Sequence, residues 1–451
     1  MGGGTLQLII KGGQDIYITG NPEISFFKSV YRRHTNFSIE CIEQVQRGNI
    51  GTGDYTLNYT INKSGDLLSK MHFEIDLPLQ SMENIRPFDF CHYNNVTGYT
   101  FIKDVSLSIG EKEIDKHDGR FMDISNELNQ YQGERGLDYL INRTPTTKEM
   151  IFVPSATKLY IPLNFWFCKD ISQSIPLIAL QFHEVKLKVG FRGIKHIINS
   201  KYVSPGEGEE DLEDTVIGDD KQEPKKPTIK LWANYIHLDV DERKKFAQEH
   251  HEYLIEQVQH VEKTYKQYID IHLNHPVKCL YWVIQNNIAI KSKGDYKLID
   301  NIKNSFGNPL YANNSVENLW VHGNDYLNYK THEPVNPSHL RGETKYEHFK
   351  NMKLTFNGID RFKARDATYF RTIQPYENNY TIPTKNVYMY SFCLNPEDHE
   401  PSGSCNFSRI DNFAISFTGN QSYTGYTLHL YAKNYNVLRI MEGMGGLLYA
   451  N

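Results

Sequence analysis

No paired-cysteine motif, no long apolar run and no excess of basic charge mark these 451 residues. Each absence removes a class of function. Cys41, Cys91, Cys168, Cys279, Cys393 and Cys405 are scattered, without a C-x-x-C pair or knuckle spacing. Such scattering reads as reduced, mostly buried thiols, not as a disulfide framework or a zinc module. No apolar stretch of about 18 residues occurs, so no transmembrane helix is expected. The start, MGGGTLQLIIKGG, lacks the charged n-region and long h-region of a secretory signal. Leu6 stands where N-myristoylation needs Ser or Thr. With 49 Lys and Arg against 54 Asp and Glu the net charge is −5, which offers no overall field for nucleic acid.

Catalytic signatures are missing as well. H-E-x-x-H, G-x-S-x-G, G-x-G-x-x-G and a Walker loop do not occur, and Pro401 to Cys405 (PSGSC) is a tight turn of small residues. Of the 18 histidines, His250 and His251 are adjacent. On a helix they would point about 100° apart and share a metal poorly. His272 and His275 lie in HLNH with no paired carboxylate. These histidines read as surface or interface residues. Carboxylates are too plentiful for any one pair to be singled out as acid and base. The expectation is a protein with no catalytic, cofactor-binding or metal-binding residues.

What is present points to β structure. Aromatics reach 13%, with 30 Tyr and 23 Phe but only 4 Trp. Tyr and Phe favour strands and large contact surfaces. Apolar residues alternate with polar ones at Tyr55–Ile61, Val105–Ile109, Val185–Val189, Leu354–Phe356, Ile415–Phe417 and Leu428–Leu430. This is the pattern of half-buried antiparallel strands. Ser64-Gly65-Asp66, Gly110-Glu111, Asp118-Gly119, Asn357-Gly358 and Pro401-Ser402-Gly403 read as the turns between them. Helical patches are few: Ile24–Arg33, with near-helical spacing of Phe26, Phe27, Val30 and Tyr31, and Asp239–Leu254. Glycines 2 to 4, 12 and 13 read as a flexible arm, and Pro205–Pro227 as an acidic, solvated loop.

The chain also repeats itself. Ile42 to Gln46 (IEQVQ) recurs at Ile255 to Gln259. Leu107-Ser-Ile109-Gly110 with Ile114-Asp115 resembles Leu354-Thr-Phe356-Asn-Gly358 with Ile359-Asp360. Trp166-Phe-Cys168 corresponds to Ser391-Phe-Cys393. Three matches in the same order predict a duplicated β domain, joined near residue 240. N-x-S/T opens at Asn36, Asn58, Asn62, Asn95, Asn142, Asn313, Asn379, Asn406 and Asn420. An Asn- and Thr-rich β protein makes such triplets by chance, and Asn313, Asn379 and Asn420 are kept as candidate glycosylation sites.

Longer motifs resemble the major capsid proteins of nucleocytoplasmic large DNA viruses. They begin with Gly13–Pro22 (GQDIYITGNP), Ile24–Arg33 (ISFFKSVYRR) and Thr35–Phe37, then Ile175–Leu187 (IPLIALQFHEVKL). Asp241–Arg243, Phe246–Gln248 and His251–Gln257 follow, then Asn357–Phe362 (NGIDRF) and Gln374–Tyr376. Pro401–Asp411, Ala432–Met441 (AKNYNVLRIM) and Gly443–Gly446 close the set. The stretches 207–220 and about 286–348 depart from the family pattern. The resemblance implies an all-β fold: two tandem jelly-roll sandwiches, a double jelly roll, with a few short helices. It implies an N-terminal arm over 1–24, a first jelly roll over 25–240 carrying the acidic loop 205–227, and a second over 241–451. It further implies a non-enzymatic shell protein that forms homotrimeric, pseudo-hexagonal capsomers of an icosahedral virion, assembled in host cytoplasm. Its partners would be neighbouring capsomers, minor capsid and penton proteins, and the inner viral membrane through the arm, without direct contact to nucleic acid. A minor capsid paralogue or a carbohydrate-binding jelly roll are the alternatives.

Overall fold

The computed structural model describes residues 3–29, 31–78, 90–93, 96–129, 136–142, 157–194, 197–201, 225–286, 347–383, 385–419 and 426–449. The acidic loop lies outside them except for Lys225–Pro227, as do Asn313 and Asn420. The chain divides into two units, Met1–Phe37 and Ser38–Asn451.

In the first unit, α1 (Gly3–Ile9) and α2 (Gly13–Thr19) are short helices that bury none of their residues. The Asp15 carboxylate accepts the Gly12 N–H at 2.9 Å and anchors the start of α2. Helix therefore occupies the glycine-rich start that read as a flexible arm. The expected patch Ile24–Arg33 holds a turn and irregular chain instead, among its described residues. Phe26 and Phe27 are exposed there, and apolar spacing without a packing partner does not sustain a short helix.

The second unit contains two eight-stranded sets. The first is β1 (Phe37–Gln44), β2 (Tyr55–Thr60), β3 (Leu67–Leu77), β4 (Ile102–Ile109), β5 (Lys112–Asp118), β6 (Thr157–Pro162), β7 (Val185–Phe191) and β8 (Thr228–Leu238). The second is β9 (His251–Thr264), β10 (Tyr268–Ile271), β11 (Pro276–Asn286), β12 (Asn351–Phe356), β13 (Ile359–Asp360), β14 (Tyr388–Ser391), β15 (Phe413–Thr418) and β16 (Tyr426–Met441). The first set forms sheets in the order β1-β8-β3-β6 and β2-β7-β4-β5. The second forms β9-β16-β11-β14 and β10-β15-β12-β13. The two orders are the same, strand for strand. Each set is an eight-stranded jelly roll, so the double jelly roll predicted for this chain is what is found.

The three repeated motifs fall on equivalent elements. IEQVQ starts in β1 in one sandwich and lies in β9 in the other, each the edge neighbour of the last strand of its set. The second motif forms the β4–β5 and β12–β13 hairpins. The third follows β6 and spans the end of β14. In the β12–β13 hairpin, Asn357 and Gly358 have φ of 49° and 82°, the left-handed pair a two-residue turn requires.

Two expectations need correction. Asp118-Gly119 does not turn between strands; it starts α3 (Gly119–Asn129), with Asp118 Oδ1 accepting the Phe121 N–H at 2.7 Å. A Cβ on Gly119 would lie 1.9 Å from the Tyr99 carbonyl oxygen, so only glycine fits. The patch Asp239–Leu254 splits: Asp239 caps α4 (Val240–Gln248), and the chain is extended from His251. Among the described residues no helix is long and apolar enough to cross a membrane.

Candidate functional site

The most distinctive chemistry lies where the two sandwiches meet. Their inner faces alternate as the sequence predicts: Val185, Leu187 and Val189 point inward and Lys188 outward. The outer face of the β9-β16-β11-β14 sheet departs from this, because the first sandwich covers it. In β11, Leu280, Trp282 and Ile284 fill the core of the second sandwich, while Cys279, Tyr281 and Val283 join the core cluster of the first. Strand β16 is buried on both faces from Tyr426 to Asn436. Simple alternation at Leu428–Leu430 thus captures one face only; His429, Tyr431 and Lys433 are buried on the other.

The first sandwich supplies β5, α3 and the loop after β6. The Gln257 amide donates to the Ile114 carbonyl, and the Val258 N–H to Asp115 Oδ1 at 3.0 Å. Asp115 Oδ2 lies 2.9 Å from His117 Nε2, whose ring stacks on Phe165. Arg120 reaches across: its Nε donates to Gln285 Oε1 at 3.1 Å and its guanidinium lies 3.3 Å from His429 Nδ1. The Tyr431 hydroxyl donates back to Asp118 at 2.7 Å. Lys385 and the fully buried Asp123 pair at 2.7 Å.

A five-member ionic cluster completes the junction. Glu256 contacts Lys278 and, at 3.0 Å, Lys433; Lys433 also meets Glu397 at 3.3 Å. Lys169, from the short helix Trp166–Lys169 after β6, meets Glu397 at 3.0 Å and Glu256 at 3.7 Å. Burial pushes the Glu256 carboxyl up, but Lys433, Lys169 and Lys278 outweigh it and hold it below its ordinary value. The same balance, with Lys169 and Lys433, keeps Glu397 low. Burial pulls the Lys433 ammonium down, and Glu397 and Glu256 more than restore it. Glu256, Glu397 and Lys433 are therefore charged. The Tyr380 hydroxyl donates to Glu397 at 2.7 Å and lies 2.8 Å from the Tyr281 hydroxyl.

Beside the cluster lies a small cleft of about 10 Å³, lined by Phe121, Ile124, Leu128, Tyr281, Tyr380 and Lys169 among others. That is smaller than the pockets that hold substrates. The neighbouring Cys279 thiol is pushed up to about 12, chiefly by burial. A thiol so protonated is not a nucleophile. This arrangement joins the two sandwiches through buried apolar, hydrogen-bonded and ionic contacts.

Histidine placement differs from the sequence reading. His250 is exposed, and His251 begins β9 with Nε2 2.7 Å from the Phe246 carbonyl oxygen. The helix expected to carry both ends at Gln248. A cluster the sequence reading passed over is His260, Glu262 and His429, whose ligand atoms lie within 4.8 Å of one another. Its signal was an i, i+2 pair on a strand, with His429 opposite Glu262 in the β9–β16 ladder. Burial, then Arg120 and His260, lower His429 to about 2, so it is neutral. The Arg120 guanidinium already supplies the positive charge at His429 Nδ1. Of the candidate glycosylation sites, Asn379 is exposed at a φ of 60°, next to the buried Tyr380. Among the described cysteines only Cys279 and Cys393 are buried; Cys41 is exposed, so the thiols are not mostly buried.

The chain matches two family models: residues 25–239 match the major capsid protein N-terminus, and residues 242–446 the large eukaryotic DNA virus major capsid protein. It is 35% identical to the major capsid protein of Paramecium bursaria Chlorella virus 1 over the full length of both chains. It is 34% identical to that of Pyramimonas orientalis virus, again over both full lengths. Its structure matches the quasi-atomic model of the PBCV-1 virus capsid with a TM-score of 0.72 at 32% identity, covering 95% of this chain and 100% of that one. The Faustovirus major capsid protein shares the fold at 15% identity, with a TM-score of 0.67 over 96% of this chain and 94% of that one.

Proposed function

The chain belongs to the major capsid protein family of large eukaryotic DNA viruses, and from that premise we propose that three copies close into a pseudo-hexagonal capsomer that tiles an icosahedral shell. It is a structural protein of the virion capsid and assembles with neighbouring capsomers. One observation carries the proposal: two sandwiches of identical strand order are locked in one body by a buried junction. Three such bodies present six like units, and a closed ring needs each subunit's one face to meet the next subunit's other face.

Several finer points belong to the same reading. The chain divides into an arm (1–24), a first roll (25–240, with the acidic loop 205–227) and a second roll (241–451); β8 ends at Leu238 and β9 begins at His251. It catalyses no reaction, in keeping with a junction whose two glutamates are each bound by lysines. It is made and assembled in host cytoplasm. The arm meets minor capsid proteins or the inner viral membrane, penton proteins meet the capsomer edges, and nucleic acid is not touched directly. Glycans, where present, attach at Asn313, Asn379 or Asn420, which peptide mass spectrometry of virions would test.

Light scattering on a size-exclusion column tests the capsomer. A particle of three times the 52.4 kDa chain mass is expected. A monomer at micromolar concentration overturns the self-assembling trimer and turns attention to sugar binding. Deleting Met1–Gly13 should leave the trimer intact and stop shell assembly; loss of the trimer would overturn the role given to the arm.

A further inference from the structure

Three side chains of the metal-ligating kind converge at the rim of the junction. Glu262 follows His260 by two residues in β9, so both point to the same face of the sheet. His429 in β16 stands opposite Glu262 in the ladder and joins them on that face. His260 Nε2 lies 3.2 Å from His429 Nδ1, and Glu262 Oε2 lies 3.9 Å from the same nitrogen. His260 and Glu262 reach solvent, and His429 is buried.

Those separations are the ones a single small cation needs. Zinc binds imidazole nitrogen at about 2.0–2.1 Å in tetrahedral geometry, which puts two such nitrogens about 3.3 Å apart. Glu262 is exposed, and its flexible side chain can close the longer gap. The His260 ring is held in place by Tyr431, with ring centroids 4.5 Å apart and 8° between the planes. Its other nitrogen, Nδ1, faces Asp118 Oδ2 at 3.9 Å. A carboxylate behind a histidine favours the tautomer that presents the opposite nitrogen to a metal. Burial keeps His429 neutral, as a ligand must be.

The surrounding charges suit a dication. Arg120 and Asp118 face the site from α3 and β5 and offset each other at 3.6 Å. Lys116 is turned to Asp104, 2.9 Å away. Glu262 then supplies the net negative charge. Arg120 is the competitor, since its guanidinium lies 3.3 Å from His429 Nδ1. It has further anchors in Gln285 Oε1 at 3.1 Å and in Asp118, so it can yield that nitrogen and stay paired.

We propose that His260, His429 and Glu262 form a binding site for a zinc-class divalent cation, with water as the remaining ligand. Two imidazoles and a carboxylate suit zinc and its first-row neighbours; magnesium and calcium take oxygen ligands. The ion ties β9 to β16 at the edge of the junction. The sequence reading weighed His250, His251, His272 and His275 and expected no metal-binding residues. The two histidines that meet here are 169 residues apart, and only the β9–β16 pairing brings them together.

The test uses the full, tag-free chain after dialysis against a chelator. Calorimetric titration with Zn²⁺ alone should show one ion bound per chain, and titration with Mg²⁺ none. His260→Ala and Glu262→Gln alter side chains that reach solvent, so both variants should stay folded by circular dichroism. His260→Ala should weaken Zn²⁺ binding by about a hundredfold or more, and Glu262→Gln by about tenfold. His250→Ala, exposed and outside the site, should bind as the wild type does. Co²⁺ gives an independent readout: the visible absorption of a tetrahedral site in the wild type, lost in His260→Ala. A folded wild type that takes up no Zn²⁺, or binding that both site variants leave unchanged, overturns the proposal.

Discussion

The two copies of IEQVQ have the same side chains and opposite surroundings. In β9, Ile255, Glu256 and Gln257 are buried against the first sandwich; in β1, Glu43 is exposed and Ile42 is half-buried. Glu256 binds three lysines, two of them almost wholly buried, whereas among the described residues Glu43 has a single distant ion-pair partner, Lys230 at 3.9 Å. Position in a sheet is thus not enough to give a residue its energetic role. What covers the other face of that sheet decides it.

Substitutions at matched positions should expose the difference. The largest effect is expected for Glu256→Gln, which leaves Lys278 buried without its carboxylate and should destabilise the chain by about 3–5 kcal/mol. Glu43→Gln should leave the denaturation midpoint where it was. Equal shifts in the two would mean the junction is not formed in solution. Next come the isoleucines: Ile255→Ala should cost about 2–5 kcal/mol, Ile42→Ala clearly less, by chemical denaturation at fixed protein concentration.

The smallest effect is a pH dependence. His429 has its folded value depressed to about 2 by burial, so the folded chain binds fewer protons there than the unfolded chain. The stability it contributes is present above the ordinary histidine value of about 6.5 and drains away as the pH falls below it. Glu256 is also depressed and acts the same way, only below its ordinary value of about 4.3. His429→Asn should therefore flatten the stability profile from about pH 6.5 down to about 2, and Glu256→Gln only the part below about 4.3. A His429→Asn profile as steep as the wild type's would place the proton uptake elsewhere.

Much of the architecture was legible in the residues. Alternation located β2, β4, β7, β12, β15 and part of β16, because a strand with one wet face must alternate. The repeat was legible because both halves solve the same packing problem with the same motifs. The arm misled in both directions: helix formed where glycines suggested none, and none formed across Phe26 and Phe27. The ionic cluster was illegible, since Lys169, Glu256, Lys278, Glu397 and Lys433 come from distant parts of the chain with no spacing to announce them.

The sequence by itself determined the alternating strands, most of the turns between them, the duplication and the family. Period-two patterning and turn chemistry act over a few residues, so they are written locally. Only the tertiary structure decided which outer face was closed and which was left open. That choice depends on groups that meet across the whole chain, where burying Glu256 among lysines and leaving Val45 bare are consequences of one docking geometry.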